Sequence, residues 1–356
     1  MKKFPWKKLL IITGIILGVL FLALIGLVIF LSVTEYKPAD RQATDRLYAD
    51  PAAAPAGTQL TLYTWNIGYA GLGKDSDFFM DGGKMVDPPS QETVEKNIAG
   101  IQDFIRSNPA DVWLLQEVDL NSARTKNVDE LQRICQVYGG SHAFAYNYKC
   151  PFVPIPLPPI GKVESGIATL TNCRMDESAQ RIALPCPFSW PVSAANLKRC
   201  LLVTRLKVAD SDKELVLINL HLEAYDDGEG KIAQTKLLMQ VLQEEYEKGN
   251  YVIAGGDFNQ TFPGGLDAFP IADPDKWTPG ILDETDLPAG WQFAYDTGAA
   301  TCRLLDAPYH EGSQKYVIDG FILSPNVRMD TIETIDLDFT HSDHNPVRLN
   351  ITLLQE

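Results

Sequence analysis

The sequence lacks closely spaced cysteine pairs, has few histidines and carries little positive charge. None of its six cysteines forms a CxxC pair, which argues against a cysteine-based zinc cluster. Acidic residues outnumber basic residues by 46 to 31, and the formal net charge is −15. Such a surface repels nucleic-acid backbones at long range, so a general nucleic-acid-binding protein is disfavoured. A metal-dependent enzyme is not excluded, because divalent cations offset local negative charge.

The cysteines leave two interpretations open. Outside the cytoplasm, an even number is compatible with one to three disulfides, but the spacing does not define the pairing. Buried free thiols are the alternative. The residues concerned are Cys135, Cys150, Cys173, Cys186, Cys200 and Cys302.

An uncharged run from Leu9 to Thr34 follows a segment with four lysines and no acidic residue. The run is longer than the roughly 20 residues that a helix needs to cross a bilayer, and the preceding lysines favour a cytoplasmic N-terminus. The alternative is a signal peptide, whose apolar region is usually about 7–15 residues with a cleavage site directly after it. We therefore predict that residues 1–34 form a short cytoplasmic tip and an uncleaved, single-pass anchor in the cell membrane. The remaining chain is then extracytoplasmic.

Residues 35–57 contain several prolines and alanines without apolar periodicity, which predicts a linker. Residues 58–356 show no break in composition and are predicted to form one domain, which we expect to be monomeric. Three helices are predicted there, over 91–107 with Ser90 as N-cap, over 127–138, and over 231–247. With about ten strands beside them, these helices indicate two packed sheets with helices outside.

Polar residues follow or interrupt most of the predicted strands. Each has an ordinary structural explanation, such as a turn or an ion pair. However, carboxylates within core strands are costly unless they are paired or bound to a metal, and this chain repeats the pattern. Oxygen ligands without cysteine favour Mg²⁺, Mn²⁺ or Ca²⁺, and nearby histidines can hold a phosphate oxygen or transfer a proton. The polar residues are Asn66, Gln116, Glu117, Asn219, His221, Glu223, Asp257, Asn259, Asp319, Asp343 and His344.

The motifs TWNI, LLQEV, NLHLE, GGDFN, YVIDGFIL and SDHNPV occur in the order expected of the endonuclease/exonuclease/phosphatase superfamily. The sequence resembles that superfamily over roughly residues 60–354. Members of the superfamily include deoxyribonuclease I, apurinic endonucleases, neutral sphingomyelinases and inositol polyphosphate 5-phosphatases. The resemblance implies an α/β fold, a four-layered αββα sandwich of two mostly antiparallel sheets, here preceded by a transmembrane helix.

The resemblance also implies a metal site and a water-activating group. By position in the motifs, Glu117 is the principal metal ligand, assisted by Asn66 and Asp343. Mg²⁺ is the expected ion, with Mn²⁺ or Ca²⁺ as alternatives. Asp257 orients or deprotonates the attacking water, and Asn259 helps to fix that water and the phosphate.

Two histidines are implied to act on the phosphate. His221 and His344 donate to its oxygens, and Asp319 holds His344 in orientation. The strand VESGIATL resembles a segment that supplies another active-site residue, which implies that Glu164 supports His221. A metal and two histidines stabilise the negative charge that accumulates on a phosphoryl group.

The substrate is less defined than the chemistry. A segment with five prolines, residues 150–162, precludes a helix or a central strand. It is either a loop that touches lipid or substrate, or a stiffened surface connection. No lysine- or arginine-rich cluster lies near the motifs, so avid binding of duplex nucleic acid is not expected. We expect a phosphoester substrate, with a phospholipid headgroup or small phosphoester preferred. An extracytoplasmic nuclease and a non-catalytic binding module are the alternatives.

Overall fold

The computed structural model describes residues 6–226 and 228–355, and two large sheets form its centre. Each sheet has seven strands. In spatial order, the first contains β17 (Val327–Thr334), β18 (Val347–Leu353), β3 (Gln59–Asn66), β4 (Val112–Asp119), β6 (Gly161–Thr171), β5 (Ser141–Val153) and β2 (Arg46–Tyr48). The second contains β1 (Arg41–Ala43), β7 (Gln180–Ala183), β8 (Cys200–Lys207), β9 (Glu214–His221), β10 (Tyr251–Asp257), β16 (Asp319–Leu323) and β13 (Gln292–Ala294).

Five α-helices and two short strand pairs complete the described structure. The pairs are β11 (Gln260–Thr261) with β12 (Gly280–Ile281), and β14 (Cys302–Arg303) with β15 (Lys315–Tyr316). The helices are α1 (Trp6–Thr34), α2 (Gln91–Ser107), α3 (Glu130–Tyr138), α4 (Glu229–Tyr246) and α5 (Gly265–Ala268). The three predicted helices correspond to α2, α3 and α4. The hydroxyl of Ser90 accepts a hydrogen bond from the Thr93 amide, as expected of an N-cap.

Three apolar cores divide the domain into four layers. The first lies between the sheets and includes Leu114 and Leu217. The second joins the outer face of the first sheet to α2 and α3. The third joins the outer face of the second sheet to α4. The predicted αββα sandwich is therefore confirmed, because alternate residues of each central strand supply opposite cores.

The strand directions bring selected strand ends to one edge of the sandwich. In the first sheet β3 and β4 run parallel, and in the second β9 and β10 run parallel. The other neighbouring pairs of the two described large sheets are antiparallel. The C-terminal ends of the two parallel pairs carry Asn66, Glu117, His221 and Asp257. We call the edge at these four residues the polar edge.

The prediction of a linker over residues 35–57 is wrong for its central part. Arg41–Ala43 pairs with β7, and Arg46–Tyr48 pairs with β5. This segment therefore adds one edge strand to each sheet, and the folded unit begins before residue 58. Strands of three residues are too short to show apolar periodicity, so they could not be predicted from the sequence pattern.

The apolar N-terminal segment forms one long helix, α1. By length and composition it is able to cross a membrane, although a signal sequence near an N-terminus has the same properties. Most of its side chains are exposed, since the domain covers only its last turns. The helix begins at Trp6, three residues before the predicted span. Residues 1–5 of the predicted cytoplasmic tip lie outside the described residues.

The proline-rich segment begins in a strand and continues into a hairpin. Cys150–Val153 belongs to β5, and the strand register shifts between Cys150 and Val153. Pro151 is accommodated at this irregularity, where the sheet does not require an amide donor. At Cys150–Val153 β5 pairs with β6 alone, because β2 pairs only with residues 142–144, so these residues lie at the edge of the sheet and the expectation that prolines exclude a central strand holds for them. All six cysteines are described, and none is joined to another in a disulfide.

Candidate active site

Asn66 connects the two sheets at the polar edge. Its side-chain amide donates to Glu117 Oε1 at 3.2 Å and to Asp257 Oδ2 at 3.0 Å. Its side-chain oxygen, Oδ1, accepts from the Gly68 backbone amide at 3.0 Å. One buried asparagine thus fixes a carboxylate from each sheet, and the motifs TWNI, LLQEV and GGDFN meet as the sequence predicts.

Glu117 and Asn259 adopt backbone conformations that few side chains tolerate. Glu117 has φ +54° and Asn259 has φ +50°. Glu117 lies at an irregularity in β4, where the register with β6 shifts between Leu115 and Val118. Such a bulge re-aims a side chain, and such conformations cost on the order of 1–3 kcal/mol each. At both positions the surrounding structure enforces a side-chain direction that an ordinary strand would not give.

Asp257 is buried at the end of β10 and is surrounded by donors. Its Oδ1 accepts from the Asn259 amide at 2.8 Å. Its Oδ2 lies 3.4 Å from His221 Nε2 and 3.7 Å from His344 Nε2. Burial raises the pKa of this carboxyl to about 6, an effect that nearby His344 opposes and Asp319 reinforces. A carboxyl with a pKa near neutrality is suited to exchange a proton with water.

His344 and Asp319 form a buried hydrogen-bonded pair. His344 Nδ1 lies 2.8 Å from Asp319 Oδ2, and Asp319 faces Asp257 across the β10–β16 register. Burial alone would lower the pKa of His344, but Asp319 and Asp257 raise it well above its usual value. Near neutral pH the ring is therefore a cationic donor, held with Nε2 toward Asp257.

His221 has a different environment from His344. Burial lowers its pKa well below the usual value, and Arg199 and His344 reinforce this. The ring is therefore neutral near pH 7 and carries a single N–H. Its Nδ1 has no hydrogen-bond partner among the described residues.

The predicted support of His221 by Glu164 is wrong. Glu164 forms an ion pair with Lys162 at 3.2 Å. Along β6, Ile167 packs between the sheets, whereas Ala168 and Leu170 pack in the outer core. Glu164 shares the outer face with these even-numbered residues. It therefore points away from the face on which the second sheet presents His221.

Glu117 and Asp343 form the donor set that best fits a divalent cation. Burial raises the pKa of Asp343 to about 7; Glu117 adds to the rise, whereas His344 and Arg303 oppose it. Burial also raises the pKa of Glu117, although Arg124 and Asn66 oppose this. A half-buried and a buried carboxylate that each disfavour the other's charge, with the Asn66 side-chain oxygen close by, suit a hard cation. The expected ligands are therefore brought together.

A second group of possible donors lies beside the first. One ligand atom from each of Asp257, Asp319 and His344 lies within 4.8 Å of the others. The 2.8 Å hydrogen bond already pairs two of its members and keeps the histidine protonated. A protonated histidine is not a metal ligand, so this group fits phosphate and water handling better than metal binding.

His341 is excluded from the polar edge although it lies three positions before His344. Its ring is packed on α2, where a Cβ added to Gly100 would lie 2.2 Å from His341 Cε1. Burial lowers the pKa of this ring, and Lys96 reinforces the effect. The two histidines of one loop thus have different surroundings.

Arginines near the carboxylates were not found by sequence reasoning. Arg124 pairs with Asp119 at 2.9 Å and lies over the Tyr69 ring at 3.7 Å, close enough to lower the pKa of Glu117. Arg303 is buried and donates to the Gly73 and Ser76 carbonyls. Neither lies in a recognisable motif; the available signal was that buried carboxylates need compensating charge.

Comparisons with known proteins agree with this geometry. A model of the "Endonuclease/Exonuclease/phosphatase family" matches residues 63–344. No curated protein sequence matches the chain significantly.

Several solved structures share the fold. An endonuclease/exonuclease/phosphatase from Beutenbergia cavernae is 17% identical, with a TM-score of 0.57 over 83% of this chain and 72% of that chain. One from Bacteroides vulgatus is 16% identical, with a TM-score of 0.53 over 83% and 99%. Truncated TDP2 from Caenorhabditis elegans is 16% identical, with a TM-score of 0.50 over 83% and 97%. At these identities the likeness concerns the fold.

Proposed function

The chain belongs to the endonuclease/exonuclease/phosphatase family, and we propose that it is a membrane-anchored phosphoesterase that acts on a phospholipid headgroup or a small phosphoester. Family membership makes it a metal-dependent hydrolase of phosphoric esters. The observation that carries the site assignment is the position of Asn66, which donates to Glu117 and to Asp257. A metal-binding carboxylate and a water-activating carboxylate thus lie on either side of one amide.

The proposed metal ligands are the carboxylates of Glu117 and Asp343 and the side-chain oxygen of Asn66. All are hard oxygen donors, which favour Mg²⁺ or Mn²⁺, with Ca²⁺ as a further possibility. When bound, the cation polarises a phosphoryl oxygen and neutralises part of its charge. Ionisation of Glu117 and Asp343 would then be favoured, because the charge of the cation offsets the repulsion between the two carboxylates.

Asp257 is the proposed residue for the attacking water. Its pKa of about 6 leaves it mainly ionised at pH 7, so it accepts a hydrogen bond from water and receives a proton as attack proceeds. Asn259 supports this carboxylate through its backbone amide. Its side-chain amide donates to the Leu222 carbonyl at 2.9 Å, which leaves the side-chain oxygen to act on the water.

His344 and His221 are the proposed donors to the phosphate oxygens. His344 is cationic and held by Asp319, so it supplies a charge-assisted hydrogen bond where negative charge develops. His221 is neutral and supplies one N–H from a ring whose Nδ1 is free of other described partners. The two rings thus contribute one charged and one neutral donor.

The surface supports a small or membrane-presented phosphoester more than duplex DNA. The formal net charge is −15, and no lysine- or arginine-rich segment borders the six motifs. The apolar α1 supports a location in the cell membrane, with the domain extracytoplasmic because lysines precede the helix.

An extracytoplasmic nuclease is the second candidate function, since the family includes nucleases. The intact set of site residues argues against a binding module without catalysis.

A substrate panel tests this proposal. The purified full-length chain in detergent with Mg²⁺ is assayed on sphingomyelin, phosphatidyl lipids, inositol phosphates, and single- and double-stranded DNA. We expect the highest kcat/KM on a lipid headgroup or small phosphoester. Preference for DNA would establish the nuclease alternative. Binding without hydrolysis of any member would establish the non-catalytic one.

A further inference from the structure

Four large apolar side chains stand exposed on two neighbouring segments of the domain. Ile155 and Leu157, in the hairpin between β5 and β6, are 74% and 87% exposed. Trp190 and Val192, between β7 and β8, are 62% and 57% exposed. We call these four side chains the apolar rim. Large exposed apolar side chains grouped on neighbouring segments are typical of a contact surface, whereas single ones are ordinary.

The end of α1 packs beside the apolar rim. Leu27 and Leu31 share an apolar cluster with Cys150, Val153 and Val163, at the base of the hairpin. Trp190 Nε1 donates to Ser32 Oγ at 2.9 Å. Directly after the helix, Glu35 pairs with Lys198 at 2.8 Å. The helix is therefore attached to the domain through the segments that carry the rim.

The length of α1 places this attachment at a membrane boundary. Its 29 residues span about 43 Å at 1.5 Å per residue, whereas a hydrocarbon core is about 30 Å thick. Counted from Lys8, the last charged residue of the helix, about 20 residues fill that core and end near Val28. The domain contacts the helix around this point and after it, at Leu27, Leu31 and Ser32, in the region where tryptophan is enriched in membrane proteins.

The apolar rim lies at the polar edge. β6 runs antiparallel to β4, so its first residues lie beyond the end of β4 that carries Glu117. The hairpin continues from that end. β8 runs antiparallel to β9, so the segment before β8 lies at the same end as His221. The active site, the apolar rim and the attachment of α1 thus share one edge.

We propose that the apolar rim inserts into the interfacial region of the outer leaflet and holds the polar edge against the bilayer. This inference rests on the proposed anchoring by α1. The occupant of the rim is the lipid surface, because the rim is continuous with a helix that passes into the same bilayer. Side chains of this kind penetrate about 5–10 Å into the headgroup and acyl boundary. The preferred substrate is then a phosphoester presented at that boundary.

Depth-dependent quenching tests the proposal in the full-length chain. The protein carrying Cys186→Ser and Leu157→Cys is labelled with nitrobenzoxadiazole and reconstituted into phosphatidylcholine vesicles with doxyl-labelled lipid. Val192→Cys provides a second probe, and Asp212→Cys on the β8–β9 turn provides the control at the opposite edge. The protein carrying only Cys186→Ser measures the background labelling of the remaining cysteines.

We expect doxyl lipids to quench the Leu157 and Val192 probes about twofold or more relative to the Asp212 probe, as a depth of about 5–10 Å requires. Equal quenching at all three positions, in protein that floats with the vesicles, would overturn the proposal. A blue-shifted Leu157 probe without lipid quenching would also overturn it, since a protein partner would then cover the rim. Failure to float would instead contradict the anchor on which the inference rests.

Discussion

At the residue scale, the two histidines of the sequence THSDH differ in what surrounds them. His344 is hydrogen-bonded to Asp319, and its Nε2 lies 3.7 Å from Asp257 Oδ2. His341, in contrast, packs on Gly100 of α2. Composition treats these residues alike, whereas the motif SDHNPV selects His344 as the candidate phosphate donor. The positions of β16 and α2 explain the difference, because β16 supplies Asp319 and α2 supplies the surface on which His341 packs.

His344→Ala is expected to lower kcat by about 10² to 10³, the scale observed when one preorganised donor is removed. His341→Ala should lower kcat less than tenfold, since its ring does not face the polar edge. Steady-state kinetics on bis-(p-nitrophenyl) phosphate measure both. Equal losses for the two variants would contradict the roles assigned to them.

Asp319→Asn is expected to act as a weaker form of His344→Ala, because it leaves the ring in place but removes the charge that orients it. Combining the two substitutions should add little to the loss from His344→Ala, as for residues that act as a unit. A double-mutant cycle on kcat measures this, and full additivity would falsify the pairing.

The raised pKa of Asp343 has a consequence for stability without metal. The carboxyl moves from 3.8 to about 7 on folding, so its contribution to stability is complete below pH 3.8 and is lost as pH rises through 7. Asp343→Asn cannot ionise and escapes that loss. In EDTA, its free energy of unfolding should match wild type at pH 4 and exceed it by about 1–3 kcal/mol at pH 8.

Denaturant unfolding at the two pH values checks this prediction, with Asp212→Asn as an exposed control that should show no such difference. Added Mg²⁺ should stabilise wild type more than the variant. If the free energy of unfolding of Asp343→Asn relative to wild type does not rise between pH 4 and pH 8, then ionisation of Asp343 does not destabilise the fold.

The sequence predicted the polar residues better than their partners. Motif order placed Asn66, Glu117 and Asp257 together, because the ends of parallel strands meet at one edge. It did not identify Arg124 or Arg303, whose buried positions depend on loops without periodicity. It also misassigned Glu164, since motif order does not define which face of β6 a side chain occupies.

At the element scale, α2 and the loop that carries the candidate site residues touch through a glycine. A Cβ on Gly100 would lie 2.2 Å from the His341 ring, far inside contact distance. In an exposed helix interior, Gly→Ala stabilises by roughly 1 kcal/mol. Here the close approach of the ring reverses that expectation.

Gly100→Ala is therefore expected to destabilise the domain by about 1–3 kcal/mol, the usual cost of overpacking. In the His341→Ala background the same substitution should be neutral or stabilising, because the ring has been removed. Thermal or denaturant unfolding of the four proteins measures the coupling. The same destabilisation in both backgrounds would contradict this contact.

Element prediction succeeded for elements with clear apolar patterns and failed for elements without them. The 17-residue α2 and the eight-residue β9 show clear apolar patterns. The three-residue β1 and β2 do not, and their pairing partners are distant in sequence. The 13-residue β5 was not predicted either, because its residues form no continuous apolar run and Pro151 lies near its end.

At the scale of the whole molecule, the apolar helix α1 is attached to the sandwich at its polar edge. If α1 remains in the membrane, the full-length protein should pellet with membranes and resist carbonate extraction. Protease added outside intact cells should digest the domain. A soluble mature form beginning near residue 35 would contradict an uncleaved anchor.

The proposed metal site is tested by the metal dependence of phosphodiester hydrolysis by the purified full-length chain. On bis-(p-nitrophenyl) phosphate, EDTA should abolish activity, and Mg²⁺ or Mn²⁺ should restore it. Glu117→Gln keeps the side-chain size but removes the charge, so it should lose metal activation while unfolding changes little. Glu164→Gln, which lies on the outer face of β6, should keep wild-type activation. Hydrolysis that resists EDTA, or unchanged Mg²⁺ activation in Glu117→Gln, would contradict the account.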